Sequence, residues 1–210
     1  MSIELDEAER LFKKLYSNID GRGLSLKERD NKQLADKSFV YGEVVPAGFY
    51  QMMLSAQPQP GEVFYDFGSG TGKAVILAHL LFDFSKVKGI ELLEGLYKAS
   101  VEVDQRYQKE FHPKIAEKTL SQIELIHGSF LDLDIRDADF VFMNSTCFQE
   151  DLMAAVALKL EEIRPNATVI SLSKSLRSPA FHEERHEMFD FSWGRATAFF
   201  HKRRLWNVYM

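Results

Sequence analysis

The chain has 210 residues, 45% of them hydrophobic and 27% charged, a balance that fits one globular domain with a small appendage. No apolar run is long enough for a membrane span and no basic-then-apolar leader opens the sequence, while a net charge of −5 argues against direct nucleic-acid binding through the overall field. A single cysteine, Cys147, excludes an intramolecular disulfide framework and fits a reducing cytoplasm.

Ile3, Leu5, Ala8, Leu11, Phe12, Leu15, Tyr16 and Ile19 recur at helical spacing with charges between them. Asp20-Gly21-Arg22-Gly23 breaks that helix and a polar stretch runs on to Lys37, so residues 1–40 read as an N-terminal helical cap ahead of a main domain at 41–210. Strands and helices then alternate: strand 63–67, helix 72–82, strand 86–91, helix 94–111, strands 122–127 and 139–143, helix 149–162, strand 167–172. Residues 188–193 and 196–200, either side of Gly194, read as a closing antiparallel hairpin. This order predicts an α/β fold, a doubly wound and mostly parallel seven-stranded sheet with right-handed crossovers.

The most informative stretch is Val63-Phe64-Tyr65-Asp66-Phe67-Gly68-Ser69-Gly70-Thr71-Gly72. A buried strand ends on an acid, a glycine-rich bend follows, and a helix starts at once. The glycines tolerate φ > 0 and a close ligand, and the helix start offers free N–H donors. A ligand is therefore expected across the carboxyl end of this strand. Gly-x-Gly-x-Gly places the third glycine one residue early for a dinucleotide fingerprint, and no Ser or Thr follows Lys73, as a phosphate cradle requires. Glu91 closes the next strand, 19 residues past Gly72, where a carboxylate can accept both hydrogen bonds of a ribose diol.

A strand ending in Asp66 ahead of such a bend resembles the class I S-adenosylmethionine-dependent methyltransferases. Further stretches narrow the resemblance. Tyr41-Gly42-Glu43-Val44-Val45 precedes the bend, Asn144-Ser145-Thr146-Cys147-Phe148 ends the fourth strand, and Ile170-Ser171-Leu172-Ser173-Lys174-Ser175-Leu176-Arg177-Ser178 and Ser192-Trp193 complete the series. In this order they look like the disruptor-of-telomeric-silencing family, the histone-lysine methyltransferases without a SET domain, over residues 38–200. The resemblance implies S-adenosyl-L-methionine as cofactor and a protein lysine as methyl acceptor. It also implies roles. Tyr41, Glu43 and Val44 fold over the methionine end. Asp66, Gly68, Ser69, Gly70 and Gly72 hold the amino-acid part, Glu91 the ribose, and Ser129 and Phe130 the adenine. Asn144 sits at the mouth of the transfer site, with Tyr41, Ser173 and Trp193 as its further catalytic residues. Ser171, Ser173 and Trp193, with Phe199 or Phe200, line a lysine channel.

This chain departs from the family at four points. Ser129 stands where an acid is usual, Phe199-Phe200 where a tyrosine is usual, and Lys73 replaces an uncharged amide and could pair with the cofactor carboxylate. No long lysine-rich tail for nucleosomal DNA is visible, so another protein's lysine fits as well as a histone's. Two enzyme-class alternatives and one binding module stay open. A soluble small amine could be the acceptor, or the chain could bind the cofactor without catalysis. His182-Glu183-Glu184-Arg185-His186 matches a zinc-protease motif that needs a helix and a third ligand, which no following pattern supplies; a solvated helix end is the plainer reading, and no metal is expected. Cys147 has no evident base beside it and reads as packing. His201-Lys202-Arg203-Arg204 reads as a solvated strand end.

Overall fold

The computed structural model describes residues 2–31, 42–115, 117, 119 and 121–205. Strand β1 (Val63–Phe67) is buried at every position, as a strand covered on both faces must be. It is followed by helix α4 (Lys73–Leu81), β2 (Lys86–Glu91), α5 (Glu94–Glu110), the single turn α6 (His112–Ile115), β3 (Gln122–His127) and β4 (Phe140–Met143). A short 3-10 turn (Ser145–Cys147), α7 (Glu150–Lys159), a second 3-10 turn (Leu160–Glu162), β5 (Thr168–Leu172), β6 (Phe181–Phe191) and β7 (Gly194–Arg203) follow. The seven strands lie in the order β3-β2-β1-β4-β5-β7-β6. The first five are parallel, and β7 runs antiparallel to both β5 and β6. The expected doubly wound sheet with its antiparallel closure is therefore present. Among the described residues no helix is long and apolar enough to cross a membrane.

The side-chain period of two divides each strand between two cores. Phe64, Phe142, Ile170, Leu172 and Phe200 face one cluster with α4 and the N-terminal helix α1 (Leu5–Leu15). Tyr65, Phe67, Val141, Met143 and Val169 face the other, where Met153, Val156 and Ala157 of α7 cover them. Ala8, Leu11, Phe12 and Leu15 of α1 belong to the first core. The N-terminal helix thus shares the core of the sheet.

Four sequence expectations need correction. The glycines at 21 and 23 do not open a loop. Asp20 accepts the Gly23 N–H at 2.9 Å, which makes it the cap of a second helix, α2 (Gly21–Asn31). Helix α3 (Pro46–Ala56) was not anticipated at all; Pro46 at its first turn and an extended Val45 before it are its start signals. The hairpin strands are longer than read, and they take in His182-Glu183-Glu184-Arg185-His186. On an extended strand, residues four apart stand about 13 Å from each other. The two imidazoles of that motif therefore lack the helical geometry zinc would need, and the helix-end reading fails with it. Finally, the basic cluster is only partly solvated: Arg204 is exposed, but His201 is buried, Lys202 donates to the Thr168 hydroxyl at 2.7 Å, and Arg203 donates to the Glu161 carbonyl at 3.0 Å.

The glycine bend is held close to β2. A Cβ on Gly89 would stand 2.7 Å from Val75 Cγ2 and 2.8 Å from Ser69 Oγ. Gly89→Ala is expected to displace the bend and cost about 1–3 kcal/mol as overpacking. Urea denaturation checks this; an unchanged midpoint would show that the bend yields freely.

Candidate functional site

The parallel strands deliver the expected residues to one rim. Asp66 pairs with Gly89, and Phe67 with both Ile90 and Met143, so Gly68, Glu91 and Asn144 leave neighbouring strands side by side. Gly68, Gly70 and Gly72 all have positive φ, at 79°, 55° and 81°. At Gly68 nothing lies within 4 Å of where a Cβ would be, so the bend faces open space there.

Glu91 is buried, and both of its oxygens hold backbone. Oε2 accepts the Gly70 N–H at 2.8 Å and Oε1 the Leu93 N–H at 2.7 Å. Burial raises its pKa, while the N–H donors of Leu93, Gly70 and Leu92 oppose that rise. Asp66 is buried beside it. Burial, reinforced by the Glu91 charge, holds the Asp66 carboxyl well above the usual carboxylate range. Ser69 is buried too, and its hydroxyl has no hydrogen-bond partner among the described residues.

Asn144 organises the second half of the site. Its amide donates to the Gly42 carbonyl at 3.1 Å, and its side-chain oxygen accepts the Thr146 hydroxyl at 3.0 Å. Thr146 is also 3.0 Å from the hydroxyl of Ser173, which sits at φ 65° just beyond β5. Ser192 donates its N–H (3.3 Å) and its hydroxyl (2.8 Å) to the Glu43 carbonyl. Trp193, 39% exposed, stacks on Phe191 with centroids 4.9 Å apart, and a Cβ on Gly42 would meet both the indole and the Asn144 amide. The hairpin turn, the Gly42-Glu43 segment, Asn144 and Ser173 therefore form one wall.

Lys73 opens α4 and pairs with Glu43 Oε2 at 2.5 Å. Val44 is buried beside α3. Phe130 is half-buried and stacked flat on Phe67 at 4.9 Å, while Ser129 Oγ accepts the Leu131 N–H at 3.2 Å. Tyr41 lies outside the described residues. Two proposed channel residues are not free to line one. Ser171 is buried with its hydroxyl on the Lys174 carbonyl at 2.6 Å, and Phe200 is a core ring beneath Arg185.

Comparison with known proteins places the chain in a family and a fold. A model of the family described as histone methylation protein DOT1 matches residues 27–194. The chain belongs to that family. Relatives include histone-lysine N-methyltransferases named as H3 lysine-79 specific. One, from Debaryomyces hansenii, is 26% identical over 191 residues, and another, from Caenorhabditis elegans, is 29% identical over 148. The matches cover 87% and 67% of this chain but only 16% and 15% of those proteins. Among solved structures, an RNA methyltransferase from Salinibacter ruber in complex with S-adenosyl-L-homocysteine has a TM-score of 0.57 at 20% identity, covering 74% of this chain and 90% of that one. The YcgJ protein of Bacillus subtilis gives 0.57 at 8% identity over 77% of this chain and 100% of that one. These likenesses establish the class I methyltransferase fold.

Three contributors were not anticipated. Tyr16 donates its hydroxyl to the Thr71 carbonyl at 3.2 Å, tying α1 to the bend. Glu28 of α2 accepts the N–H groups of Glu94 (2.9 Å) and Gly95 (2.7 Å) at the start of α5. Thr146 bridges Asn144 and Ser173. Only Thr146 carried a signal, since it lies inside the Asn-x-x-x-Phe stretch; the other two contacts join segments far apart in sequence.

The Asp66 shift has a sign that stability measurements can read. A carboxyl whose folded pKa lies above its ordinary 3.8 keeps its proton longer in the folded state, so stability falls as pH rises through the folded value. Asp66→Asn removes that slope. Without ligand, the variant is expected to melt above the wild type at about pH 8, with the gap closing towards about pH 4. A gap that does not change with pH would refute the shift.

Proposed function

We propose that the chain is an S-adenosylmethionine-dependent N-methyltransferase whose acceptor is a protein lysine. The observation that carries this reading is the meeting, on one rim of the sheet, of a glycine bend tied to Glu91 with a wall built from Gly42, Asn144, Ser173 and Trp193. The residues present fit the cofactor. Glu43 Oε1 and Ser69 Oγ are buried polar atoms without partners among the described residues, as expected of groups that complete their hydrogen bonds on a ligand. The bend faces open space at Gly68.

When bound, S-adenosylmethionine supplies an electrophilic methyl group on a sulfonium. In-line displacement needs alignment more than proton transfer, which is consistent with a rim that shows no His-Asp pair among the described residues. Glu91 orients the ribose with the lone pairs left over from Gly70 and Leu93. Phe130 offers the adenine a ring edge beside Phe67, and Ser129 a hydroxyl. Asn144, fixed on both sides by Gly42 and Thr146, aligns the acceptor amine at the mouth. A lysine with a free pKa near 10.4 has to arrive neutral; the apolar face of Trp193 disfavours the ammonium form by desolvation, and the sulfonium by repulsion. Histones are the first acceptor to test, because the relatives are named for histone H3.

The test is incubation with tritiated S-adenosylmethionine and separate pools of histones, lysate proteins and small amines. Label on protein lysine is expected. Label confined to the amines would make the chain a small-molecule enzyme, and no label with measurable cofactor binding would make it a binding protein. Asn144→Ala is expected to lower turnover roughly ten- to hundredfold through misalignment, with S-adenosylhomocysteine affinity nearly intact. Unchanged turnover would remove Asn144 from the transfer step.

A further inference from the structure

Asn144, Thr146 and Ser173 form a hydrogen-bonded chain whose direction is fixed by one backbone carbonyl. The Gly42 carbonyl can only accept, so the Asn144 group facing it at 3.1 Å is the amide nitrogen, and the amide oxygen turns towards Thr146. That oxygen can only accept as well, so Thr146 commits its single proton to it, at 3.0 Å. Between the Thr146 and Ser173 hydroxyls, 3.0 Å apart, Ser173 must then be the donor. Both segments are pinned. Ser145 donates its hydroxyl to the Leu172 carbonyl at 2.8 Å, and the Ser173 N–H donates to the Thr197 carbonyl at 2.7 Å. Ser173 is exposed and has a left-handed backbone at φ 65°, uncommon for a residue with a Cβ.

The wall therefore has its hydroxyl protons turned inward. The oxygens of Ser173 and Asn144 keep free lone pairs, and the second Nδ2 hydrogen of Asn144 is the one donor these side chains leave over among the described residues. A neutral primary amine offers the complementary set, a pair of N–H donors and a lone pair. With an N–H on each oxygen, its lone pair stays free to attack. We propose that Thr146 is a positioning residue that makes the site select an unmethylated lysine over its own methylated products. This rests on the lysine reading above. Thr146 acts through Asn144 and Ser173, whose oxygens it holds as acceptors. On transfer the amine nitrogen takes the methyl carbon as the bond to sulfur breaks, and the resulting ammonium releases a proton to water. Each methyl group so added replaces an N–H, so a methylated lysine covers an acceptor that it leaves unpaired. Without the Thr146 hydroxyl the Ser173 proton is free to turn outward. It then donates to the amine lone pair and opposes attack, and a missing N–H is no longer penalised.

Recombinant core histones, which start unmethylated, test this with mass spectrometry of the products. The wild type is expected to build up monomethyl-lysine first, the first transfer running roughly tenfold faster than the second. Thr146→Val removes the hydroxyl at nearly constant volume; it should slow the first transfer and bring the two rates together. Thr146→Ser keeps the hydroxyl and should restore the wild-type ratio. A second readout needs no turnover. In the S-adenosylhomocysteine complex, calorimetry should show the wild type binding unmodified histones more tightly than the same histones with reductively dimethylated lysines. Thr146→Val should lose that difference and bind S-adenosylhomocysteine as the wild type does. Circular dichroism shows that each variant folds. An unchanged ratio in Thr146→Val, or Thr146→Ser behaving like Thr146→Val, would overturn the role of the hydroxyl. If histones take no methyl group, the comparison is made on the lysate protein that takes label. Label on no protein defeats the lysine reading itself, and the selectivity falls with it.

Discussion

The rim of this sheet depends on one buried carboxylate. Parallel strands end in loops that diverge, because each crossover carries the chain off to a helix on one face. Glu91 counters that divergence by accepting one N–H from the bend after β1 and another from the loop after β2. Two hydrogen bonds to a charged acceptor are stronger than neutral ones, and their burial makes them expensive to lose. The same loops are braced from outside. Tyr16, which caps the end of α1, holds Thr71, and Glu28 of α2 neutralises the start of α5 through two N–H groups. The two N-terminal helices thus hold the two loops that Glu91 joins, and α1 buries its apolar face in the core beneath them.

Much of this was legible in the sequence, for reasons that differ from element to element. β1, β2 and β3 run between the very residues expected, since short apolar runs between turn signals leave little freedom in where a buried strand starts and stops. Glu91 was recoverable from spacing alone, because the crossover helix fixes how far along the chain the next strand ends. α3 escaped notice because its apolar positions are not confined to one stripe: Phe49, Met52 and Met53 are buried, yet Leu54 is exposed. α2 was hidden by glycine, whose low helix propensity was outweighed by the Asp20 cap and by the docking of Glu28 on α5. The strand through His182 and His186 was misread for a related reason. Edge strand β6 is polar along most of its length and takes its conformation from pairing with β7, which no local pattern reveals.

The site residues divide in the same way. Those set by strand ends, Asp66, Glu91 and Asn144, arrive together because register alone brings them to one rim. Those set by loop packing do not follow from position. Ser171 turns inward to the Lys174 carbonyl while Ser173, two residues on, adopts a left-handed backbone and faces Thr146. Phe199 and Phe200 are adjacent in sequence but belong to opposite faces of β7, so only the half-buried Phe199 is free of the core that holds Phe200. Trp193 is the reverse case: an exposed indole that core packing does not explain, stacked on Phe191 at the edge of the wall formed by Gly42 and Asn144.

Charge balance joins the two halves of the site. Asp66, Glu91 and Glu43 gather at a rim where Lys73 is the cation paired to one of them. Burial disfavours ionisation of both Asp66 and Glu91, and the Glu91 charge disfavours it further at Asp66, so a cation brought beside Asp66 is favoured twice, by direct attraction and by the relief of that repulsion. Under the function proposed here, the methyl donor carries a sulfonium charge that its demethylated product lacks. The acidic rim then attracts the donor more strongly than the product, and the interaction lost on transfer is the one that would otherwise slow product release. The carboxylates that make this rim unfavourable when alone are thus the groups that give it a preferred ligand charge, and Glu91, which holds the bend and the loop after β2 in place, contributes to that charge itself.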